Sequence, residues 1–531
     1  VVKEYDWLGY LNKVQEFTGR TPLGSKLSNE YLTFMRDVPC VCVANRKTFP
    51  KTKEIPNSFF TKFISLKYPQ LKIPDDVWRQ ANLTIPKSYE EASKFWTPKI
   101  VMVDPFLLWL ASELTYIHNG RYCKNAGEMT FEEILNSWES KASPGFYFNM
   151  KYQSTEEFIE KELVYSLLQE YWEKLISDKP EPDVYTNALK AELRKVGKNP
   201  RTFMGSARRM LAAKQKLFLD QNRKIKDNYW DLWIRVGLSN YHGEWDMLYN
   251  QFQNKVGKKA IFWDSDVSGW DRSVPKLLLD EVLKLRKRWW PDSLNTADNI
   301  RRANVLYDLA TEGFVLMEMG EIVKKCRGVA SGDALTIFDN SIAHEIVAIY
   351  ALLKMMPKEK LKSMTMMELY ELIFDSTIMA FMGDDNLGGC NLEKFPWFDA
   401  EILKQAYADF GFEMKQLNVS KKLETLQFLS RGFVKKNGVW CAIPDYTKTL
   451  CQIMYGGTSE HPADVLERTI SLEREAWPND ELWQIIHQFN AWMFEKFHSV
   501  LSVKTPGRVP LHILQAEWLS ERELRELHCG K

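Results

Sequence analysis

Residues 381–387 read Phe-Met-Gly-Asp-Asp-Asn-Leu, and the adjacent carboxylates of Asp384 and Asp385 behind Gly383 are the part of this chain best suited to chemistry. Two carboxylates held side by side repel each other unless cations sit between them. Hard oxygen ligands of this kind suit Mg²⁺ and phosphoryl transfer. The apolar runs Ile378–Met382 and Leu387–Cys390 on either side read as strands, so the segment is expected to be a tight β-hairpin. Gly383 would supply backbone freedom and Asn386 would tolerate left-handed turn geometry. Taken alone, Gly-Asp-Asp is also ordinary surface-turn composition.

A second acidic cluster, Asp264, Asp266 and Asp271, lies at or beyond the end of the strand-forming run Ala260–Trp263. An aspartate closing one strand can share cations with a Gly-Asp-Asp turn if the two strands are neighbours. Two such groups can hold two Mg²⁺ about 3.5–4 Å apart. Asp271 has entered the following turn or helix and could reach a sugar hydroxyl instead. Between the clusters, Ser331-Gly332 reads as a mobile loop ahead of a helix carried by Leu335, Phe338, Ile342, Ile346, Ile349 and Leu353 towards Pro357. Thr336 and Asn340 stand one helical turn apart and could present polar groups to a ribose, although a Ser-Gly start is also a common helix cap.

These groups need a sheet to bring them together and a positive surface to receive a polyanion. Net charge is only +1, so any such surface has to be local. It is found between Lys190 and Lys226, where twelve Lys and Arg face only Glu192 and Asp220, a density that points to polyphosphate, nucleic acid or a partner protein. A second basic and aromatic knot, Lys284–Trp290, reads better as a helix end packed by tryptophans than as a strand-tracking surface. A helix is also expected from Thr155 to about Ser177.

The length of 531 residues calls for several subdomains, and 45% apolar with 13% aromatic content excludes a disordered tail. The eight cysteines show no metal-binding spacing and read as free thiols. No apolar run approaches a membrane span, and the start at Val1 resembles a processed or trimmed product rather than a secretory signal. The region up to about 140, broken by Pro22, Pro39, Pro50, Pro56, Pro69 and Pro74, is expected to be irregular α+β structure wrapped on something larger.

In order, a basic segment, Asp-x₄-Asp, Ser-Gly-x₃-Thr-x₃-Asn and Gly-Asp-Asp resemble motifs F, A, B and C of the RNA-dependent RNA polymerases of positive-strand RNA viruses. Asp266–Asp271 with Lys190–Arg194 looks most like the astrovirus and sobemovirus-like groups. The resemblance covers roughly residues 140–440. It implies an α+β right-hand fold: fingers at 1–230 and 276–328, a palm of antiparallel sheet flanked by helices at 231–275 and 329–436, and a helical thumb at 437–531.

The same resemblance implies RNA-templated nucleotidyl transfer from NTPs to an RNA 3′-hydroxyl. Asp266, Asp384 and Asp385 would be the catalytic metal ligands, with two Mg²⁺ for which Mn²⁺ can substitute. Lys190, Arg194 and Arg201 would line the nucleotide channel, Asp271 and Asn340 would select ribose, Ser331 and Gly332 would contact template and nucleotide, and Thr336 would support Asn340. Ser143, Pro144 and Gly145 would sit at the template entrance. Phe428, Ser430 and Arg431 would belong to a hairpin gripping the primer, a simple strand pair through Val434 and Trp440 being the alternative. Lys421 would be the general acid, with Lys415 and Lys422 as the other choices. RNA template and product, a genome-linked protein primer and other viral replication proteins would be partners, in the host cytoplasm within a membrane-associated replication complex. A reverse transcriptase-like polymerase and a non-catalytic RNA-binding protein are the rival readings.

Overall fold

The computed structural model describes residues 5–19, 40–43 and 48–530. Strand β9 (Thr377–Met382) is covered on both faces, which is why its residues from Ile378 onward are apolar. Met379 and Phe381 pack into one core with the helices Pro105–Cys123 and Thr336–Met355, while Ile378 and Ala380 pack into another with the helix Glu244–Val256. Period-two alternation thus divides one strand between two cores.

This strand is the edge of a four-stranded antiparallel sheet with β10 (Asp385–Asn391), β6 (Ala260–Val267) and β11 (Met414–Ser420), in the order β11–β6–β10–β9. Strand β6 runs further than its apolar half, because backbone pairing with β10 and β11 carries it through the acidic residues to Val267. Asp264 and Asp266 are therefore inside the strand, two apart and on one face, while Asp271 is in the short helix Trp270–Ser273 that follows.

A five-stranded sheet, in the order β1–β8–β7–β3–β5, joins β1 (Cys40–Val43), β3 (Val184–Leu189), β5 (Thr202–Gly205), β7 (Phe314–Leu316) and β8 (Glu321–Lys324). Strands from both stretches expected as fingers share this sheet. Within 276–328, however, the helix Lys276–Arg288 sends Leu278, Leu279, Val282 and Leu285 into the core of the four-stranded sheet. Trp289 and Trp290 are buried at that helix end, so the packed-helix reading of Lys284–Trp290 holds.

The expected boundary after 436 falls inside a hairpin, β12 (Gly432–Lys436) with β13 (Val439–Ile443), whose paired strands cannot be divided between domains. The helices Tyr446–Tyr455, Pro462–Ala476 and Asp480–Lys496 follow. Phe60, Phe63 and Ile64 of the helix Ser58–Lys67 are packed into their core, so this N-terminal piece belongs with the expected thumb rather than the fingers. Eleven residues later, β2 (Trp78–Gln80) pairs with β4 (Leu193–Lys195).

The helix expected over 155–177 is two, Thr155–Lys161 and Val164–Lys174, with Leu163 80% exposed at the break. Cys123, Cys326, Cys390, Cys441, Cys451 and Cys529 are free thiols. The side chains of Cys40 and Cys42, together with Pro22 and Pro39, lie outside the described residues. Among the described residues no helix is long and apolar enough to cross a membrane.

Candidate active site

The hairpin forms as its sequence demands. Met382 pairs with Asp385, leaving Gly383 and Asp384 as a two-residue turn, and Gly383 has φ +66°, a conformation that side chains disfavour. Asn386 is not part of the turn. It sits buried in β10, where its Nδ2 donates to Ser265 Oγ at 2.8 Å and ties the hairpin to β6. The recorded register, Asn386 opposite Ser265 and Leu387 opposite Asp264, sets Asp385 and Asp266 on the next rung. Two acidic groups 119 residues apart in the sequence are thereby placed on neighbouring strands.

Asp384 and Asp385 are held above the ordinary carboxylate range. Burial pushes the Asp385 carboxyl up to about 7, and the charges of Asp384 and Asp266 add to the rise. Burial likewise raises Asp384, with Asp266 contributing. Among the described residues no three His, Cys, Asp or Glu side chains close into a ready-made metal cage. What Asp266, Asp384 and Asp385 offer is an open, mutually repelling set of carboxylate oxygens without His or Cys, the donor chemistry of hard divalent cations. Asp264, on the same face, is already engaged: Asn418 Nδ2 and the Gln427 N–H donate to it at 2.6 and 2.8 Å.

Beside this corner, Asn340 Nδ2 donates to Asp271 Oδ1 at 2.7 Å. Burial pushes Asp271 up to about 6, Asp384 pushes further, and Asn340, Lys190 and Arg201 pull it down. Asn340 is only 3% exposed, and its buried Oδ1 has no hydrogen-bond partner among the described residues. Thr336 does not support Asn340, since its hydroxyl donates to the Ala330 carbonyl and closes the preceding loop.

That loop is bonded to β5 through both residues of its Ser-Gly pair. Gly332 N–H donates to Met204 O at 2.8 Å, and Met204 N–H donates to Ser331 Oγ at 3.3 Å. A Cβ at Gly332 would lie 2.6 Å from the Met204 carbonyl, so the close approach to β5 requires glycine.

The basic segment divides between site and scaffold. Arg201 is in reach of the acidic corner, lowering Asp271, Asp384 and Asp385, and its backbone carbonyl accepts from Lys190 N–H at 2.8 Å. Arg194 instead donates to the Asn199 carbonyl at 3.2 Å, beside Arg201. Arg209 is buried against Glu181 and Asp183, and Lys214 against Asp333, so neither cation is free for a polyanion.

Ser143, Pro144 and Gly145 dock on the start of the helix Arg208–Asp227, where the Pro144 carbonyl accepts from Arg208 N–H at 3.1 Å. Phe428 is 1% exposed and packs beside Trp245, which corrects its reading as an RNA contact: a ring in the core cannot stack on a strand. The paired strands are β12 and β13, while Phe428–Arg431 is a tight turn with Ser430 exposed at its tip and Arg431 paired to Glu475. Lys421 is not brought to the corner. Gln416 pairs with Asp266 and Ser420 with Phe262, so Lys421 lies roughly five residues, about 17 Å, along the strand from that rung. Of the three lysines considered, Lys415 is nearest to Asp266 in register.

Two residues absent from the sequence reading hold the turn. Ser341 Oγ accepts the Gly383 N–H at 2.9 Å, and His344 Nδ1 bonds the Gly383 carbonyl at 3.0 Å. A carbonyl only accepts, so the His344 proton is on Nδ1, and Nε2 accepts the Tyr407 hydroxyl at 2.6 Å. Burial holds the His344 pKa down to about 3. A histidine inside the apolar run Ile342–Leu353 was the available signal.

Comparison with known proteins agrees with this geometry. The family described as "Viral RNA-dependent RNA polymerase" matches residues 79–494, well over half of the chain. The genome polyprotein of Ryegrass mosaic virus is 26% identical over 403 residues, covering 75% of this chain and 12% of that polyprotein. The genome polyprotein of Bean yellow mosaic virus is 25% identical over 405 residues, with the same coverages of 75% and 12%. That of Ornithogalum mosaic virus is 26% identical over 376 residues, covering 68% of this chain and 30% of the relative. The chain thus spans about an eighth of the length of the first of these relatives. On the strength of the family match and of an Asp266, Asp384 and Asp385 corner on neighbouring strands, the chain belongs to the viral RNA-dependent RNA polymerase family.

Proposed function

We propose that this chain extends an RNA 3′-hydroxyl on an RNA template. The oxygen attacks the α-phosphorus of an incoming NTP and pyrophosphate leaves. The observation that carries the reading is the rung joining Asp266 to the Asp384–Asp385 turn, with the Asn340–Asp271 pair beside it. Asp266 and Asp384, assisted by Asp385, would hold two Mg²⁺, with Mn²⁺ as a substitute, and these ions supply hydroxyl acidification and charge neutralisation.

The protein's own part is positioning and charge. Arg201, whose field already reaches Asp384 and Asp385, neutralises the departing pyrophosphate, and the Lys190 charge acts on Asp271 beside them. Asn340 Oδ1, buried and without a partner, accepts from the ribose 2′-hydroxyl while Asp271 fixes the amide's orientation. Ser331 and Gly332, pinned to Met204, give template and nucleotide a fixed wall. Ser143–Gly145, Ser430 and Arg431 approach the RNA strands.

The likeness of Asp266–Asp271 and Lys190–Arg194 to astrovirus and sobemovirus-like polymerases is the basis of a finer grouping. The relatives found support positive-strand RNA viruses without supporting that grouping. We place the activity in the host cytoplasm, in a membrane-associated complex with other products of a polyprotein and with a genome-linked protein as primer. The decisive assay uses purified chain, a self-priming RNA hairpin, NTPs and Mg²⁺. Template-length extension is expected, and its absence, or preference for dNTPs, would remove the reading.

A further inference from the structure

The turn that carries Asp384 has little packing of its own. A Cβ at Gly383 would meet nothing within 4 Å, so no neighbouring side chain presses on that side of the turn. What restrains it is the helix Thr336–Met355. Ser341 and His344, three residues apart and on one helical face, take both polar groups of Gly383, its N–H at 2.9 Å and its carbonyl at 3.0 Å.

Each of the two is itself fixed. The Ser341 hydroxyl donates to the Ile337 carbonyl at 2.6 Å, which turns an oxygen lone pair towards Gly383. His344 is stacked on Trp270 at 4.4 Å and receives the Tyr407 hydroxyl on its other nitrogen at 2.6 Å. Ser341 and His344 are fully buried and Tyr407 is 2% exposed, so water does not compete for these bonds. The residue before Ser341 is Asn340, bonded to Asp271.

We propose that Ser341, His344 and Tyr407 are positioning residues that set the Gly383–Asp384 peptide, and hence the Asp384 carboxylate relative to Asp266, from the helix that also holds Asn340. The proposal rests on the polymerase reading of Asp266 and Asp384. Without the grip the turn keeps its strands but loses its fixed angle. Cation binding by the carboxylates and alignment of the reacting hydroxyl then suffer together, while NTP recognition by Arg201 and Asn340 is spared.

The test uses Ser341→Ala, Ser341→Thr and Tyr407→Phe in the full chain, with two readouts: single-nucleotide extension of a self-priming RNA hairpin, and the Mg²⁺ midpoint for thermal stabilisation of the RNA-free protein. Ser341→Ala and Tyr407→Phe are expected to lower kcat about ten- to a hundredfold with KM for NTP within about twofold, and to raise the Mg²⁺ midpoint about threefold or more. Ser341→Thr, which keeps the hydroxyl, restores both. Unchanged kcat and Mg²⁺ midpoint in folded Ser341→Ala and Tyr407→Phe overturn the proposal, as does a loss confined to KM. Should Ser341→Ala fail to fold, Tyr407→Phe, which removes a single oxygen, decides alone. Failure of the wild-type chain to extend RNA overturns the polymerase reading instead.

Discussion

Asn340 and Asp271 are 69 residues apart in the chain and 2.7 Å apart in the structure, amide nitrogen to carboxylate oxygen. The bond occupies one side of the amide and leaves Oδ1 buried without a partner among the described residues. A site with such an acceptor rejects a sugar that lacks the matching hydroxyl, because its own oxygen then stays unpaired. Asn340→Ala or Asp271→Ala is expected to narrow the preference for NTP over dNTP by about tenfold or more, read from competition in hairpin extension. Equal discrimination in wild type and both variants would show that the pair does not read ribose.

Removal of either side of the acidic rung is expected to stop synthesis without unfolding the chain. Asp384→Ala and Asp266→Ala lower extension by at least about a hundredfold, and chelation of divalent cations does the same to wild type. Both variants shed mutual repulsion, so their melting temperatures without Mg²⁺ should stay level with wild type or rise. Near-wild-type extension by either would dissolve the site.

Glu345 gives a prediction about pH. It is fully buried, accepts from Asn119 Nδ2 at 3.0 Å, and burial pushes its pKa from the ordinary 4.5 up to about 8. Between those two values the folded chain keeps a proton that the unfolded chain has released. Stability is therefore lost as pH rises through this window and levels off above it. Glu345→Gln keeps an acceptor for Asn119 and has nothing to ionise. It should be more stable than wild type by at least about 1 kcal/mol at pH 8, with the gain fading towards pH 4.5. A gain that is the same at pH 5 and pH 8 would place the Glu345 pKa elsewhere.

Arg209 is the buried cation between Glu181 and Asp183, which are 1% and 0% exposed. Truncation to alanine leaves two buried carboxylates facing each other, with Lys13 remaining for Glu181. The expected cost is about 3–5 kcal/mol in denaturant unfolding, with protonation at low pH recovering part of it. A cost under about 1 kcal/mol would mean that the carboxylates already find other partners.

The juxtaposition of Asp266 with the Asp384–Asp385 turn, and of Asp271 with Asn340, was legible in the sequence because it is written in short spacings: a glycine ahead of paired carboxylates, and an asparagine one turn into a helix. What escaped depends on contacts between distant segments. The extent of β6 is set by pairing with β10 and β11, which hydropathy does not report. Phe428 is apolar in a plausible binding stretch, and only its packing beside Trp245 shows that it faces inward. Thr336 has the right helical spacing to meet Asn340, yet a nearer carbonyl at Ala330 takes its hydroxyl. Lys421 follows the expected strand, but antiparallel register carries it away from Asp266. The interior of the Thr336–Met355 helix reads as plain core, which hid the one histidine in it that grips Gly383.

The pairing of β2 with β4, eleven residues after the end of the helix that sends Phe60 and Phe63 into the core of the C-terminal helices, sets a limit on movement. The connecting segment 68–77 reaches at most about 35 Å when fully drawn out. It ties the core of the C-terminal helices to the β2–β4 pair, so the two cannot part by more than that reach while both ends stay docked. Any wider parting has to wait for the β2–β4 pairing or the Phe60–Phe489 contact, 5.0 Å between ring centres, to let go.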